Sequence, residues 1–151
     1  MKIALASDHA GFPLKEAVIE TIRQAGHEVI DLGAERQHPS DDYPDYAEKV
    51  GSAIQSGQTE RGILLCGSGV GACIAANKLK GIYAGVCHDT YSGHQGVEHD
   101  NMNVLCLGAR VIGPGPAKEI VCAFLSARFI GDDPGQKRHG RRVDKIRKME
   151  R

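Results

Sequence analysis

Residues 62–71 read Gly62-Ile63-Leu64-Leu65-Cys66-Gly67-Ser68-Gly69-Val70-Gly71. The first five lack a polar face, as a strand covered on both sides should. The run then breaks into a glycine loop, and a helix is predicted from just after that loop to about Lys78. Outward from this unit the same alternation recurs. Lys2–Ser7, Glu28–Leu32, Ile82–Cys87 and Asn103–Leu107 are further short β-rich runs. Leu14, Val18, Ile22 and Ala25 mark a helix behind Pro13, which Gly26 can end. Tyr46, Val50, Ala53 and Ile54 mark a second, stopped near Gly57, and Ile120, Val121, Phe124 and Leu125 a longer one over 117–129. A last helix from about Arg141 has a thin stripe of Val143, Ile146 and Met149, narrow enough to suggest docking on a second subunit. Strands alternating with helices predict an α/β domain with a five-stranded parallel sheet.

The chain has 151 residues, 41% hydrophobic and 25% charged, the profile of one soluble domain. At this length a single core can hold the fold without disulfides. Five cysteines, an odd number mostly in apolar runs, suit a reducing cytoplasm. The start turns polar after six residues, too soon for a signal peptide, and no apolar run approaches a membrane span, so a cytoplasmic location is expected. Lys and Arg balance Asp and Glu at 19 each. The balance hides a segregation: from Gln136 onward eight basic residues face only Asp144 and Glu150, so residues 1–135 carry a net −6. A neutral total argues against a generic nucleic-acid or membrane binder, while the basic end invites a smaller anion.

Ligands of open α/β sheets collect at the carboxyl ends of the strands. The first strand runs into Ser7-Asp8-His9-Ala10-Gly11, the third into the glycine loop and the fourth into His88-Asp89. Cys66 would end a strand beside loop amides and a helix N-terminus, which favour a thiolate and could hold an oxyanion or enediolate. The loop also satisfies G-x-G-x-x-A, a dinucleotide fingerprint, but one match in so short a chain leaves little room for a substrate domain. A Walker A loop fails for want of Gly-Lys-Ser/Thr, and a phosphatase loop because position 72 is alanine. His88, Asp89, His94, His99 and Asp100 lack zinc spacing, so no metal is expected. His99 falls in a polar stretch before the fifth strand, where a proton carrier would be useful. Arg110 follows the fifth strand, and Arg138, His139, Arg141 and Arg142 open the basic end, where arginine forks match phosphate geometry. The long polar segment 33–45, with Pro39 and Pro44, has the character of an active-site loop.

Taken together, Ser7–Gly11, Asp42-Tyr43-Pro44-Asp45-Tyr46-Ala47, Gly62–Gly71, Ile74–Lys78, Asn103–Leu105, Gly108–Gly113, Arg138-His139 and Arg142-Val143 resemble, nearly end to end, the type B ribose-5-phosphate isomerases and the related galactose- and allose-6-phosphate isomerases. The resemblance implies a Rossmann-like three-layer α/β/α sandwich, a homodimer or tetramer with active sites shared between subunits, a sugar-phosphate substrate and no cofactor. It implies that Cys66 moves a proton between C2 and C1 through a cis-enediolate, that Ser68 shuttles a proton between O1 and O2, and that Asp8 and a partner's His99 serve ring opening. Gly67, Gly69 and Gly71 would hold the enediolate, and His9, Arg110, Arg138 and Arg142 the phosphate, with Tyr43, Asn77 and Asp100 completing the pocket. It also implies that the basic segment and helix over 136–151 dock at the dimer interface. Two departures stand out: His99-Asp100-Asn101 replaces a common His-Asn-Asp, and Gly131–Lys137 is longer than usual. The substrate expected is D-ribose 5-phosphate, ahead of a hexose 6-phosphate or tetrose 4-phosphate. A nucleotide-binding module and a nucleic-acid arm are the rivals from other classes.

Overall fold

The computed structural model describes residues 1–150. Five strands, β1 (Lys2–Ser7), β2 (Glu28–Asp31), β3 (Arg61–Cys66), β4 (Ala84–Val86) and β5 (Val104–Gly108), form one parallel sheet in the order β2-β1-β3-β5-β4. The connections out of β1 and β3 leave in opposite directions, so the crevice between their carboxyl ends is the switch point at which such sheets bind ligands.

Side-chain alternation along the central strands splits the core into two layers. Ile3, Leu5, Ile63, Leu65, Leu105 and Leu107 point to one face, against α1 (Lys15–Gln24), α4 (Thr90–Asp100) and α5 (Pro114–Ser126). Ala4, Ala6, Leu64, Cys66, Val104 and Cys106 point to the other, against α2 (Tyr43–Gln55) and α3 (Val70–Ala76). The result is the three-layer sandwich.

The expected strands are all present, with the fourth trimmed to Ala84–Val86. Four helices differ in extent from the sequence reading. The first is preceded by a 3-10 turn over Phe12–Leu14. The third begins at Val70, inside the glycine loop. The fifth starts at Pro114 rather than residue 117 and stops at Ser126, where Ala127 turns extended. The last, α6 (Lys137–Arg147), starts four residues before Arg141. The long loop ends at Asp42, because α2 begins at Tyr43 with Pro44 in its first turn.

The polar stretch containing His99 is the end of α4, a helix that the sequence reading did not mark. Asp89 caps that helix, accepting from the Ser92 amide at 2.7 Å and the Ser92 hydroxyl at 2.9 Å. Asn101 ends it at φ 56°, a left-handed position that asparagine tolerates better than most residues. No helix among the described residues is long and apolar enough to cross a membrane.

Candidate active site

Beyond Ser7, Asp8 extends the β1 ladder by one bond, its amide donating to the Leu65 carbonyl at 3.1 Å. The chain then turns under Asp8, whose Oδ1 accepts the amides of Ala10 at 2.9 Å and Gly11 at 2.8 Å. The turn presses against β3 at Gly11, where any Cβ would collide with the Leu65 carbonyl. This approach brings Asp8, 4% exposed, to Cys66, 8% exposed, and the Cys66 thiol donates to Asp8 Oδ2 at 3.0 Å.

The Cys66 thiol, expected to be made more acidic by the loop amides, is shifted the other way. Burial, the hydrogen bond to Asp8 and the Asp8 charge push the thiol up from its ordinary value, and the amides of Gly67 and Gly69 that face the sulfur oppose this only in part. The amide effect read from the glycine loop is present, but the neighbouring carboxylate and the low-dielectric setting outweigh it.

The loop is gripped from three sides. Gly69 sits at φ 80°, and a Cβ on Gly108 would fall 2.7 Å from the Ser68 backbone, so both positions demand glycine. Ser68 is exposed, with its hydroxyl accepting the Val70 amide at 3.3 Å. Arg110 donates its own amide to the Gly67 carbonyl at 3.0 Å and lays its guanidinium against Gly67. The Tyr43 ring lies so close to Gly71 that an added Cβ would be 2.6 Å away. His88 accepts the Gly108 amide on Nε2 at 2.9 Å, a supporting contact that sequence reading did not identify.

His9 is held by the long loop. Its ring Nδ1 lies 2.7 Å from Asp41 Oδ1, its amide donates to the same oxygen at 3.2 Å, and its carbonyl accepts from Gln37 at 2.7 Å. Tyr46 donates to the other Asp41 oxygen at 3.0 Å. Burial works against ionisation of Asp41, but the bonds from His9 and Tyr46 prevail and hold its carboxyl below the usual range. Burial and Asp41 push the Tyr46 phenol up to about 12, so it stays a donor. Asp41 and Gln37 escaped the sequence reading because nothing in a polar loop marks which side chain turns inward.

The remaining residues gather elsewhere. The α4 helix runs from the carboxyl end of β4 back toward the amino end of β5, so its 11 residues carry His99 about 15 Å away from the switch-point edge. There His99 stacks on His139 of α6, with ring centroids 4.0 Å apart and an 18° interplanar angle. Its Nδ1 is 3.1 Å from Gln95 Nε2, which also donates to Asp100 at 3.2 Å. Burial, then the charges of His99, Arg138 and Arg142, lowers the His139 pKa, while Asp100 acts the other way. His99, Asp100, Arg138 and Arg142 are thus one group, and His139, quoted in the sequence but given no role, is its hub. The inverted Asp100-Asn101 pair has a local cause: the asparagine occupies the left-handed helix end while Asp100 turns to Gln95. The long 131–137 stretch is braced by Arg128, which reaches both oxygens of Asp133 at 3.1 and 2.7 Å.

Asn77, expected in the pocket, stands away from the switch-point edge and lines one cavity with Gln95 and Asp100 of the second group. It lies past the far end of α3 and clamps the open edge of β4, donating to the Ala84 carbonyl at 2.9 Å and accepting its amide at 2.8 Å. Among the described residues no cluster of three or more His, Cys, Asp or Glu is placed to hold a metal.

A carboxylate and a thiol sharing one proton beside a glycine loop suit proton transfer at carbon next to a carbonyl. Comparison with known proteins agrees. The chain is 44% identical over 149 residues to ribose-5-phosphate isomerase B of Escherichia coli, covering 99% of this chain and 96% of that one. It is 45% identical over 131 residues to D-erythrulose-4-phosphate isomerase of Pectobacterium atrosepticum, with 87% and 86% covered. Its fold superposes on ribose-5-phosphate isomerase B of Clostridium thermocellum with a TM-score of 0.91 at 44% identity, covering 99% and 97%. With residues 3–146 matching the Ribose/Galactose Isomerase model as well, switch-point chemistry, fold and sequence converge, and the chain belongs to that family of sugar-phosphate isomerases.

Proposed function

We propose that this protein interconverts D-ribose 5-phosphate and D-ribulose 5-phosphate, with Cys66 and Asp8 working as one proton-transfer unit. The observation that carries this reading is the 3.0 Å bond from the Cys66 thiol to Asp8, under amides of Gly67 and Gly69 that face the sulfur. In the open-chain aldose, Asp8 accepts the thiol proton and the thiolate removes the proton from C2. The C2–H electron pair becomes the C1=C2 bond, and the carbonyl oxygen takes the negative charge. The amides of Gly67, Gly69 and Gly71 stabilise that charge, Ser68 passes a proton from O2 to O1, and Cys66 returns its proton to C1. The carbon skeleton supplies both oxidised and reduced centre, so no redox cofactor is called for. Phosphate binding by His9 and Arg110, and by Arg138 and Arg142, fixes the far end of the sugar and positions the reacting carbons.

The reading needs a second copy of the chain. The partner subunit's His99 serves ring opening, in which the anomeric hydroxyl loses a proton and the ring oxygen gains one, with Asp8 as the near-side proton carrier. The partner subunit's Arg138 and Arg142 close the phosphate end. Two complementary half-sites at opposite edges of one chain support this assembly. So does the end of the chain, where Ile146 in the last turn of α6 is 42% exposed and Met149, just past that helix, is 76% exposed. In the same reading the enzyme works in the cytoplasm.

A tetrose 4-phosphate is the second candidate substrate, since the Pectobacterium relative is as similar as the pentose enzymes. Turnover of ribose 5-phosphate, erythrulose 4-phosphate, allose 6-phosphate and galactose 6-phosphate by the purified protein decides. The highest kcat/KM on ribose 5-phosphate is the expected result, and a higher value on any other sugar overturns the substrate assignment.

A further inference from the structure

The loop before α2 touches His9 at its amide, its carbonyl and its ring, and two of the three contacts come from one residue, Asp41. We infer that Asp41 is the positioning residue of the phosphate site: it holds the His9 ring so that Nε2 faces the substrate phosphate, and Tyr46 holds Asp41 in turn. This inference rests on the assignment of His9 to the phosphate.

Asp41 engages the ring at Nδ1, which leaves Nε2 as the nitrogen free to meet an anion. The same Oδ1 also accepts the His9 amide, so the carboxylate fixes backbone and ring together and leaves the side chain little rotational freedom. The Asp41 side chain is only 10% exposed, and its second oxygen is tied to Tyr46, so it has no competing partner in solvent. Gln37 closes the third side through the His9 carbonyl. A ring oriented before substrate arrives loses less entropy on binding, and an anionic partner behind it strengthens its bond to a phosphate oxygen. None of these groups hydrogen-bonds Cys66 or the Asp8 carboxylate, so their contribution falls on substrate binding rather than on the proton-transfer step.

The test is a double-mutant cycle on KM for ribose 5-phosphate, with the inhibition constant of inorganic phosphate as a second readout. Asp41→Asn keeps the shape and removes the charge. It is expected to raise both constants about tenfold with kcat within about twofold, the loss of one charge-assisted hydrogen bond. His9→Gln is expected to do at least as much, and adding Asp41→Asn to His9→Gln is expected to change nothing further. Tyr46→Phe, which loosens Asp41 from behind, is expected to raise both constants about two- to threefold, and it decides the matter if Asp41→Asn does not fold. Unchanged constants in the folded Asp41 variant, or additive effects in the double variant, would overturn the positioning role. An unchanged KM in His9→Gln would instead overturn the assignment of His9 to the phosphate, a separate failure.

Discussion

Replacing Asp8 with asparagine separates the two influences that set the state of Cys66. The variant Asp8→Asn preserves an oxygen that can accept the Ala10 and Gly11 amides, and it removes the negative charge 3.0 Å from the sulfur. Of the three influences that raise the thiol, the hydrogen bond to the carboxylate and its charge disappear, and only burial remains against the amides of Gly67 and Gly69. A like charge at this range moves a pKa by about 1–3 units, so the thiol should become more acidic by about that much. The thiolate share at neutral pH then rises about tenfold per unit, while intrinsic nucleophilicity falls with a Brønsted coefficient of about 0.4–0.5. The net gain in alkylation rate is about 3-fold for one unit and about 50-fold for three. The assay is iodoacetamide labelling at neutral pH, followed at the Cys66 peptide by mass spectrometry. Resolution by peptide matters, because the other four cysteines are free thiols too, with Cys122 exposed and Cys73 half-buried. Isomerase turnover of the same variant should fall about 100-fold or more, because the acceptor for the thiol proton is gone. A thiol that becomes more reactive in an enzyme that becomes slower is the signature of a shared proton. Labelling of Cys66 no faster than in the parent protein would refute the electrostatic account, and retained turnover would refute the role of Asp8.

The proposed sharing of active sites between two subunits makes a second prediction. Cys66→Ala and His99→Ala should each be inactive alone, and mixing them under conditions of subunit exchange should restore about one quarter of parental activity, since half the dimers are mixed and each has one intact site. Native mass spectrometry that shows mixed dimers without recovered turnover would contradict the assembly. Gly11→Ala should lower the urea midpoint by the equivalent of about 3 kcal/mol, because its Cβ must displace the Leu65 carbonyl of a central strand. An unchanged midpoint would mean that the turn and β3 are not in the contact described.

The parts of this molecule legible in its sequence are those written in hydrophobic pattern and turn chemistry. The unbroken apolar strands, the glycine loop and the carboxylate, imidazole and thiol at strand ends place the switch-point half of the site before any coordinates. The α4 helix was hidden because much of its packing face is glycine, with Val97 its one buried apolar side chain. Gly93 and Gly96 let it lie against Ile120 and Met102, where a Cβ would be only 3.2 and 3.1 Å away, and a periodicity of apolar residues cannot register an absence. Its one overt signal was Asp89 three residues before Ser92, an N-cap pair. The protonation of Cys66 was illegible for another reason. It depends on β1 and β3 being sheet neighbours, which brings Asp8 within hydrogen-bonding reach across a sequence separation of 58 residues. Asp41 is similar: its role is set by the 32-residue separation that the loop closes onto His9.

The central claim, that Cys66 takes and returns a carbon-bound proton, is tested most directly by hydrogen exchange in the substrate. Ribose 5-phosphate incubated in deuterated water and followed by proton magnetic resonance should lose its C2 hydrogen with the parent protein. With a folded Cys66→Ala variant, exchange should slow by about 100-fold or more. Exchange at the parental rate in that variant would contradict the account.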